Sequence, residues 1–160
     1  MRWSMHTLGL VLLVALGGVL GGALSAPALA APPATKDEAM AMVKGAIASI
    51  KQKGPDAAYS EISDKSGKFV DRDLYVVVYR LDGHVLAHGA NQKLIGTDQI
   101  NATDVDGKAF VKERIELAHK QPAFWQVYKF KNPVSGETER KQTYCERYED
   151  TAICAGVYKF

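Results

Sequence analysis

Three polar side chains in this sequence could together hold a small anion: His88, Lys141 and Tyr144. A lysine ammonium beside a phenol can fix a carboxylate by charge and by a directed hydrogen bond. A histidine can donate a further hydrogen bond and make binding sensitive to pH near its ordinary pKa. Each residue also has an ordinary structural interpretation: Lys141 as a solvated lysine at a sheet edge, Tyr144 as a core residue, and His88 as a side chain satisfied by the backbone.

His88 lies in a segment, residues 69–89, that predicts a β-hairpin with two different faces. Asp82-Gly83 separates two apolar runs and favours a two-residue loop. With this loop, Tyr79 lies opposite Leu86 and Val77 lies opposite His88. One face then mixes aromatics with a histidine, as a pocket wall does: Tyr75, Val77, Tyr79, Leu86 and His88. The other face is apolar and should pack on helices: Leu74, Val76, Val78, Val85 and Ala87. Core packing is the alternative for Tyr75 and Tyr79.

A further aromatic candidate lies on a predicted strand over residues 124–130. Side chains alternate across a strand, so Trp125 and Tyr128 should point to opposite faces and cannot both line one pocket. We predict Tyr128 for the pocket and Trp125 for the core. A β-bulge would exchange the two.

The first 30 residues have the pattern of a signal peptide. Arg2 precedes an uncharged apolar stretch over residues 8–24, and Ala28-Leu29-Ala30 offers the small-x-small pattern of a cleavage site. The stretch is shorter than the roughly 20 apolar residues of a spanning helix. We predict cleavage before Ala31 and a periplasmic or secreted domain over residues 31–160, with an uncleaved N-terminal membrane anchor as the alternative.

Cys145 and Cys154 are the only cysteines, and an exported protein meets an oxidising compartment. A hairpin with a two-residue loop at Glu149-Asp150 places them directly opposite each other on a non-hydrogen-bonded site, where Cα atoms approach to about 4.5 Å. That separation lies within the range of a disulfide. We therefore predict a disulfide. Two buried free cysteines are the alternative, and a redox-catalytic pair is disfavoured because the spacing is not Cys-x-x-Cys.

The remaining elements predict an α+β domain. Thr35 and Glu38 have capping-box spacing at the start of a long helix, and Gly54 and Pro55 end it before a short helix over residues 56–63. The hairpin, a long loop, a helix over 108–120, the strand over 124–130 and a last hairpin over 141–158 follow. This order predicts five antiparallel strands with a long N-terminal helix and a helix between the hairpins.

Composition and motifs argue against several classes of function. Without Arg2, 19 of the 20 Lys and Arg remain against 18 Asp and Glu, and a near-neutral domain without a basic stripe does not suggest nucleic-acid binding. The histidines are scattered, and Asp104 to Gly107 has only the start of a calcium loop. No nucleophile elbow or phosphate-binding glycine loop is present. We predict no enzyme, no metal site and no cofactor.

Three segments in this order, DGHVLAHG, DVDGKAFV and NPVSG, make the chain resemble the single Cache domain (type 2) over residues 36–159. The resemblance implies a PAS-like extracytoplasmic sensor: a long N-terminal helix and an antiparallel sheet whose concave face holds a small ligand, often a short carboxylate. It also implies that Lys141 and Tyr144 belong to the family's Lys-x-x-Tyr, and that His88 is the family's histidine in LAHG. The cysteine pair has no counterpart in the family pattern.

Family receptors continue past the last strand into a transmembrane helix and a signalling domain, whereas this sequence stops at Phe160. We therefore expect a small-ligand sensor without its own output domain, which would signal through a separate membrane receptor or kinase. The expected ligand is anionic. A structural or interaction protein whose pocket is filled by side chains is the alternative, with Tyr75, Tyr79 and Tyr128 packed together.

Overall fold

The computed structural model describes residues 31–158 and 160, so the predicted signal peptide lies outside the described residues. These described residues form three α-helices, a 3₁₀ turn and six strands, in chain order α1 (Lys36–Lys53), α2 (Pro55–Ile62), β1 (Val70–Asp71), β2 (Leu74–Arg80), β3 (Val85–His88), the 3₁₀ turn (Gln92–Leu94), α3 (Phe110–Lys120), β4 (Ala123–Lys131), β5 (Thr138–Tyr148) and β6 (Thr151–Val157). The predicted α+β class is confirmed. Among the described residues, no helix is long and apolar enough to cross a membrane.

The start of α1 follows from local chemistry. The Thr35 amide donates to Glu38 Oε2 at 2.7 Å, and the Glu38 amide donates to Thr35 Oγ1 at 3.3 Å. This capping box satisfies two amides that the helix itself leaves unpaired. Gly54, at φ 80°, ends α1, and Pro55 is the first residue of α2. Both helix boundaries agree with the prediction.

The sheet is antiparallel, with β2 and β6 at its centre. The strands run in the order β1, β2, β6, β5 and β4, and β3 pairs with β2 on the same side as β1. The part of the chain that the structure describes has six strands where five were predicted. The additional strand, β1, has only two residues and pairs with the start of β2, which is too short for an alternating pattern to reveal.

The two faces of the sheet carry separate cores. The face toward α1 and α2 buries mainly aliphatic side chains: Leu74, Val76, Val78, Ala87, Ile153, Ala155 and Val157. The opposite face packs against α3 and is richer in aromatics, Tyr79, Phe124 and Tyr128, to which α3 adds Phe110. The division follows the alternation along each strand.

The register of the first hairpin differs from the prediction near its loop. The Arg80 amide donates to the His84 carbonyl at 2.8 Å, so the loop has three residues, 81–83. Only Gly83, at φ 99°, takes a left-handed conformation there, which is the usual geometry of a three-residue loop ending in glycine. The extra residue makes Tyr79 pair with Val85 instead of Leu86, while Val77 pairs with His88 as predicted.

Because of this shift, Val85 and Leu86 exchange faces. Val85 packs with the aromatic core, and Leu86 packs against the core under α1. The predicted place of Leu86 on the pocket face is therefore wrong. The place of His88, beyond the irregularity, is unaffected.

The last hairpin has the predicted register. Tyr148 pairs with Thr151, and Cys145 pairs with Cys154 across the two-residue loop. The cysteine Cα atoms are 4.1 Å apart, and the two residues form a disulfide that is fully buried. The bridge ties β5 to β6 within the aromatic core.

We expect the double variant Cys145→Ala/Cys154→Ala to lower the free energy of unfolding by about 2 kcal/mol, because the bridge closes a short loop in the unfolded chain. Urea titration of the wild type and the variant would measure the loss. The native wild type should show no free thiol under non-reducing conditions. A full titre of two thiols would refute the disulfide.

Candidate functional site

A small enclosed cavity lies between the aromatic face of the sheet and α3. Five of the six residues predicted for the site line it: Tyr75, Tyr79, His88, Tyr128 and Lys141. The open space is about 10 Å³, room for about one water molecule. The structure therefore brings the predicted side chains together around a cavity that they nearly fill.

Tyr144 is the predicted site residue that the structure places elsewhere. Its ring packs against Trp125, with centroids 5.1 Å apart, and its hydroxyl donates to Glu146 Oε1 at 2.8 Å. Both rings pack against the core under α1. Tyr144 is three positions after Lys141, and alternation along β5 sends the two side chains to opposite faces. Its assignment to the pocket is corrected. Tyr128 lines the cavity and Trp125 does not.

Lys141 is a buried lysine that forms no ion pair within the described part of the chain. Only 2% of the residue is exposed, and none of the ion pairs among the described residues includes it. The ammonium lies 3.8 Å from the Tyr75 ring centroid and donates to the Tyr158 hydroxyl at 3.2 Å. Burial, and secondarily the positive charge of Arg114, lowers the pKa of Lys141 well below its usual value, and the negative charge of the buried Asp73 opposes part of this shift.

The hydrogen bonds at Tyr158 have a defined direction. Its hydroxyl donates to the Lys131 carbonyl at 2.9 Å, and a carbonyl can only accept. The Tyr158 oxygen must therefore accept from both Lys141 and the Tyr75 hydroxyl, the latter 3.3 Å away. Tyr158 holds the terminal Nζ of Lys141 in place but carries no negative charge to neutralise it. The sequence had indicated Tyr158 only as the end of the last strand.

His88 is buried and fixed on one side. Its Nδ1 accepts from the amides of Ala90 and Asn91 at 3.2 and 3.0 Å, and its ring stacks on Tyr75 with centroids 5.1 Å apart. Burial, followed by the charges of Lys141 and Arg114, lowers the pKa of His88 to about 3. The ring is therefore neutral at pH 7, and because Nδ1 accepts, the proton is on Nε2.

His88 was predicted either to bind a ligand or to be satisfied by the backbone, and its two ring nitrogens allow both. Nδ1 is held by the backbone, and Nε2–H can donate to a ligand oxygen. The sequence predicted that ligand binding would depend on pH near the ordinary histidine pKa. Because the pKa of His88 in the folded protein is about 3, we expect this dependence of binding at more acidic pH.

Arg114 is a second buried cation that was not predicted. It is fully buried on α3, with its guanidinium carbon 5.1 Å from the Tyr79 ring centroid and 5.2 Å from that of Tyr128. Its Nε donates to Gln126 Oε1 at 3.2 Å. The sequence holds one signal for it: Arg114 stands four residues after Phe110 and four before Ala118, on the buried stripe of α3.

Gly156 leaves room for Lys141, and we expect Gly156→Ala to destabilise the protein. A Cβ at this position would lie 2.8 Å from Lys141 Cε and would also overlap Thr143 Oγ1. Overpacking of this kind costs about 2 kcal/mol. Chemical unfolding should show the loss, and the displaced lysine should weaken ligand binding.

Gly45→Ala is the matched control for Gly156→Ala. Its Cβ would make only an ordinary contact with the Phe69 ring at 3.8 Å, and alanine within a helix is favoured over glycine by about 0.8 kcal/mol. We expect this control to be slightly more stable than the wild type. A Gly156→Ala protein as stable as the wild type would show that Lys141 is not packed as described.

Within the described residues, no group of three or more His, Cys, Asp or Glu side chains is placed to hold a metal ion. The polar groups of the cavity are instead donors: an ammonium, an imidazole N–H and tyrosine hydroxyls. Such a set suits a ligand rich in acceptor oxygens.

Residues 28–158 match the family model for the single Cache domain 2. Among solved structures, the chain is similar to a methyl-accepting chemotaxis protein from Vibrio parahaemolyticus, with a TM-score of 0.67, 21% identity, and coverage of 77% of this chain and 87% of that one. It is also similar to the periplasmic sensor domain of a chemotaxis protein, with a TM-score of 0.62, 19% identity, and coverage of 78% and 90%.

A third similar structure is described as the structural basis for carboxylic acid recognition by a Cache chemosensory domain. Its TM-score is 0.60 at 23% identity, with coverage of 76% of this chain and 84% of that one. No curated protein sequence matches the chain significantly. At these identities, the similarity to solved structures shows a shared Cache fold.

Proposed function

We propose that this chain, which belongs to the single Cache domain 2 family, is an exported sensor module that binds a small carboxylate in the cavity between its sheet and α3. The observation that carries the proposal is Lys141, a buried lysine that forms no ion pair or hydrogen bond with a carboxylate among the described residues. The module would act by binding, without catalysis, and its signal would reach a membrane receptor or kinase.

Energetics favour a bound anion over a purely structural role for Lys141. Transfer of an ammonium from water into a protein interior costs several kcal/mol. Contacts with the faces of Tyr75 and Tyr158 offset about 2 kcal/mol for each aromatic face, and one hydrogen bond to a neutral phenol offsets about 1 kcal/mol. A carboxylate against Lys141 would supply the missing charge.

His88 supports a ligand with at least two acceptor oxygens, such as a carboxylate. With Nδ1 held by the backbone, its Nε2–H is a fixed neutral donor. One carboxylate accepts a hydrogen bond on each oxygen, so it could bind the lysine and the imidazole together. The similarity to a Cache domain solved for carboxylic acid recognition agrees with this choice of ligand.

Binding requires the cavity to widen, because about 10 Å³ does not hold a carboxylic acid. The sheet is a continuous hydrogen-bonded wall, whereas the opposite side is formed by α3, which begins with Phe110 in the cavity lining. A helix packed by side chains can shift by an ångström or two with less disruption than a hydrogen-bonded strand. We infer that a ligand enters by displacing the α3 side.

The closed cavity also favours a second candidate, a structural or interaction protein with a filled pocket. Phe110 and Tyr128 stack in parallel at 4.5 Å, as side chains that fill a core would do. In that case no small acid binds, and the protein acts through its surface. The buried cations are the feature that this candidate leaves unexplained.

A thermal-shift screen of the purified protein tests the proposed function. We expect short carboxylates to raise Tm. Amino acids should leave it unchanged, because no carboxylate among the residues lining the cavity can pair with their ammonium group. Purines should also leave it unchanged, because they carry no carboxylate for Lys141. At a hundred times its Kd, a ligand adds about 2.7 kcal/mol to the free energy of unfolding. No shift with any carboxylate would favour the filled-pocket protein.

A further inference from the structure

Arg114 is the least satisfied polar group among the described residues. It is fully buried, and both terminal nitrogens, Nη1 and Nη2, are without a hydrogen-bond partner. A guanidinium has five N–H donors and does not lose its proton in proteins. With Nε bound to Gln126, four charged N–H donors are left without an acceptor.

The carboxylate nearest along the helix does not reach this charge. Glu113 Oε2 accepts from Gln126 Nε2 at 2.6 Å and from Lys108 Nζ at 2.8 Å. Gln126 therefore stands between Arg114 and Glu113, and none of the described ion pairs contains Arg114. Aromatic rings contact the guanidinium. The hydroxyls of Tyr79 and Tyr128 lie near enough to influence the pKa of Arg114, after the larger effect of burial, but neither forms a hydrogen bond with Nη1 or Nη2, and a neutral phenol supplies no counter-charge.

Arg114 lies against the rings that wall the cavity. Its guanidinium carbon is within 5.1 to 5.6 Å of the centroids of Tyr79, Phe110 and Tyr128, which all line the cavity. Tyr128 is also the strand partner of Lys141. The positive charge of Arg114 lowers the pKa of both Lys141 and His88, which agrees with the proximity of the two cations.

The two cations stand at different ends of one wall. Lys141 lies over Tyr75, and Arg114 lies over Tyr79. These tyrosines are four residues apart on the same face of β2, so the two cations lie over different positions of the wall. A single anionic centre, such as one phosphate, would leave one end unmatched. Two separated anionic groups match both ends.

We propose that Arg114 is a second anion anchor of the site, and that the ligand is a dicarboxylate whose two ends bind Lys141 and Arg114. This inference rests on the proposed function. The displacement of Phe110 and α3 that opens the cavity would bring the free guanidinium donors to the second carboxylate. A planar guanidinium fork can bind both oxygens of a carboxylate at once.

Succinate and butyrate are the matched probes, since they differ in a terminal carboxylate against a methyl group. We expect wild-type protein to bind succinate about tenfold more tightly than butyrate in isothermal titration calorimetry, as a charge-assisted hydrogen-bonded pair implies. In Arg114→Met the succinate affinity should fall about tenfold while the butyrate affinity changes little. The ratio of affinities reports on the anchor and is independent of any change in stability.

Arg114→Lys is a second variant that keeps the charge, and we expect a succinate preference between those of the wild type and Arg114→Met. Butyrate binding as tight as succinate in the wild type would overturn the inference and leave the proposed function intact. A succinate preference that survives in Arg114→Met would also overturn it. Binding of neither acid would overturn both the inference and the proposed function.

Discussion

Lys141→Met is expected to raise the free energy of unfolding at pH 7 by about 2 kcal/mol, in the range found when buried ionised groups are replaced by apolar ones. Methionine has a similar length, and Tyr158 keeps its bonds to Tyr75 and to the Lys131 carbonyl. The same change should abolish carboxylate binding. Higher stability together with loss of carboxylate binding is the result expected if Lys141 serves ligand binding and not the stability of the fold.

The pH dependence of this gain has a definite sign. The pKa of Lys141 is lower in the folded protein than its ordinary value of 10.5, so the unfolded chain binds the proton more tightly. The cost of burying the lysine is largest at low pH and disappears as the pH rises toward 10.5. The stability difference between Lys141→Met and the wild type should shrink over this interval.

Lys112→Met is the control for Lys141→Met, because Lys112 is exposed on α3. A surface change of this kind should alter the free energy of unfolding by less than about 0.5 kcal/mol. Urea unfolding at pH 7 and at pH 9.5 would measure both variants. A Lys141→Met protein less stable than the wild type at pH 7 would show that the lysine holds the fold together.

Acidification from pH 7 to pH 4.5 is expected to cost the wild type about 3 kcal/mol through His88 alone. The pKa of His88 is about 3 in the folded protein against an ordinary 6.5. The unfolded chain therefore takes up a proton first, and stability is lost as the pH falls from 6.5 toward 3. The full contribution of the residue is present only above the ordinary pKa.

His88→Asn should remove most of this acid loss. The asparagine oxygen stands where Nδ1 stands and can accept from the amides of Ala90 and Asn91, while the group no longer titrates. His119→Asn is the control, since His119 is exposed, and it should keep the acid loss of the wild type. Equal acid losses in the wild type and His88→Asn would contradict the environment described for His88.

Local signals in the sequence were sufficient where the governing interaction is itself local. Thr35 and Glu38 cap α1 with each other, three residues apart. Cys145 and Cys154 pair because a two-residue loop sets the register of the hairpin between them. The first hairpin shows the limit of this reasoning, because one additional loop residue moved Leu86 to the other face.

The sequence was sufficient to predict which face of the sheet lines the cavity. It was less informative about which charged residues are buried there. Alternation placed Tyr75, Tyr79 and Tyr128 correctly. The same alternation excludes Tyr144, whose assignment rested on a family motif and not on its distance from Lys141 along β5. Motif spacing and side-chain direction are separate constraints, and here the direction decided the outcome.

Arg114 was missed for a physical reason. A charged residue is almost never fully buried unless it is paired, so an arginine on an amphipathic helix is ordinarily placed in solvent. Its burial here depends on Tyr79, Phe110 and Tyr128, which come from three separate elements. No local pattern on α3 shows that these rings will surround it.

The central claim is that Lys141 binds a carboxylate as an ammonium ion. Isothermal titration calorimetry with succinate at pH 7, repeated at pH 9.5, tests it most directly. Because burial lowers the pKa of Lys141 and an anion binds the protonated form, the affinity should fall as the pH rises. Lys141→Met should show no binding heat. Binding that persists in Lys141→Met would contradict the account.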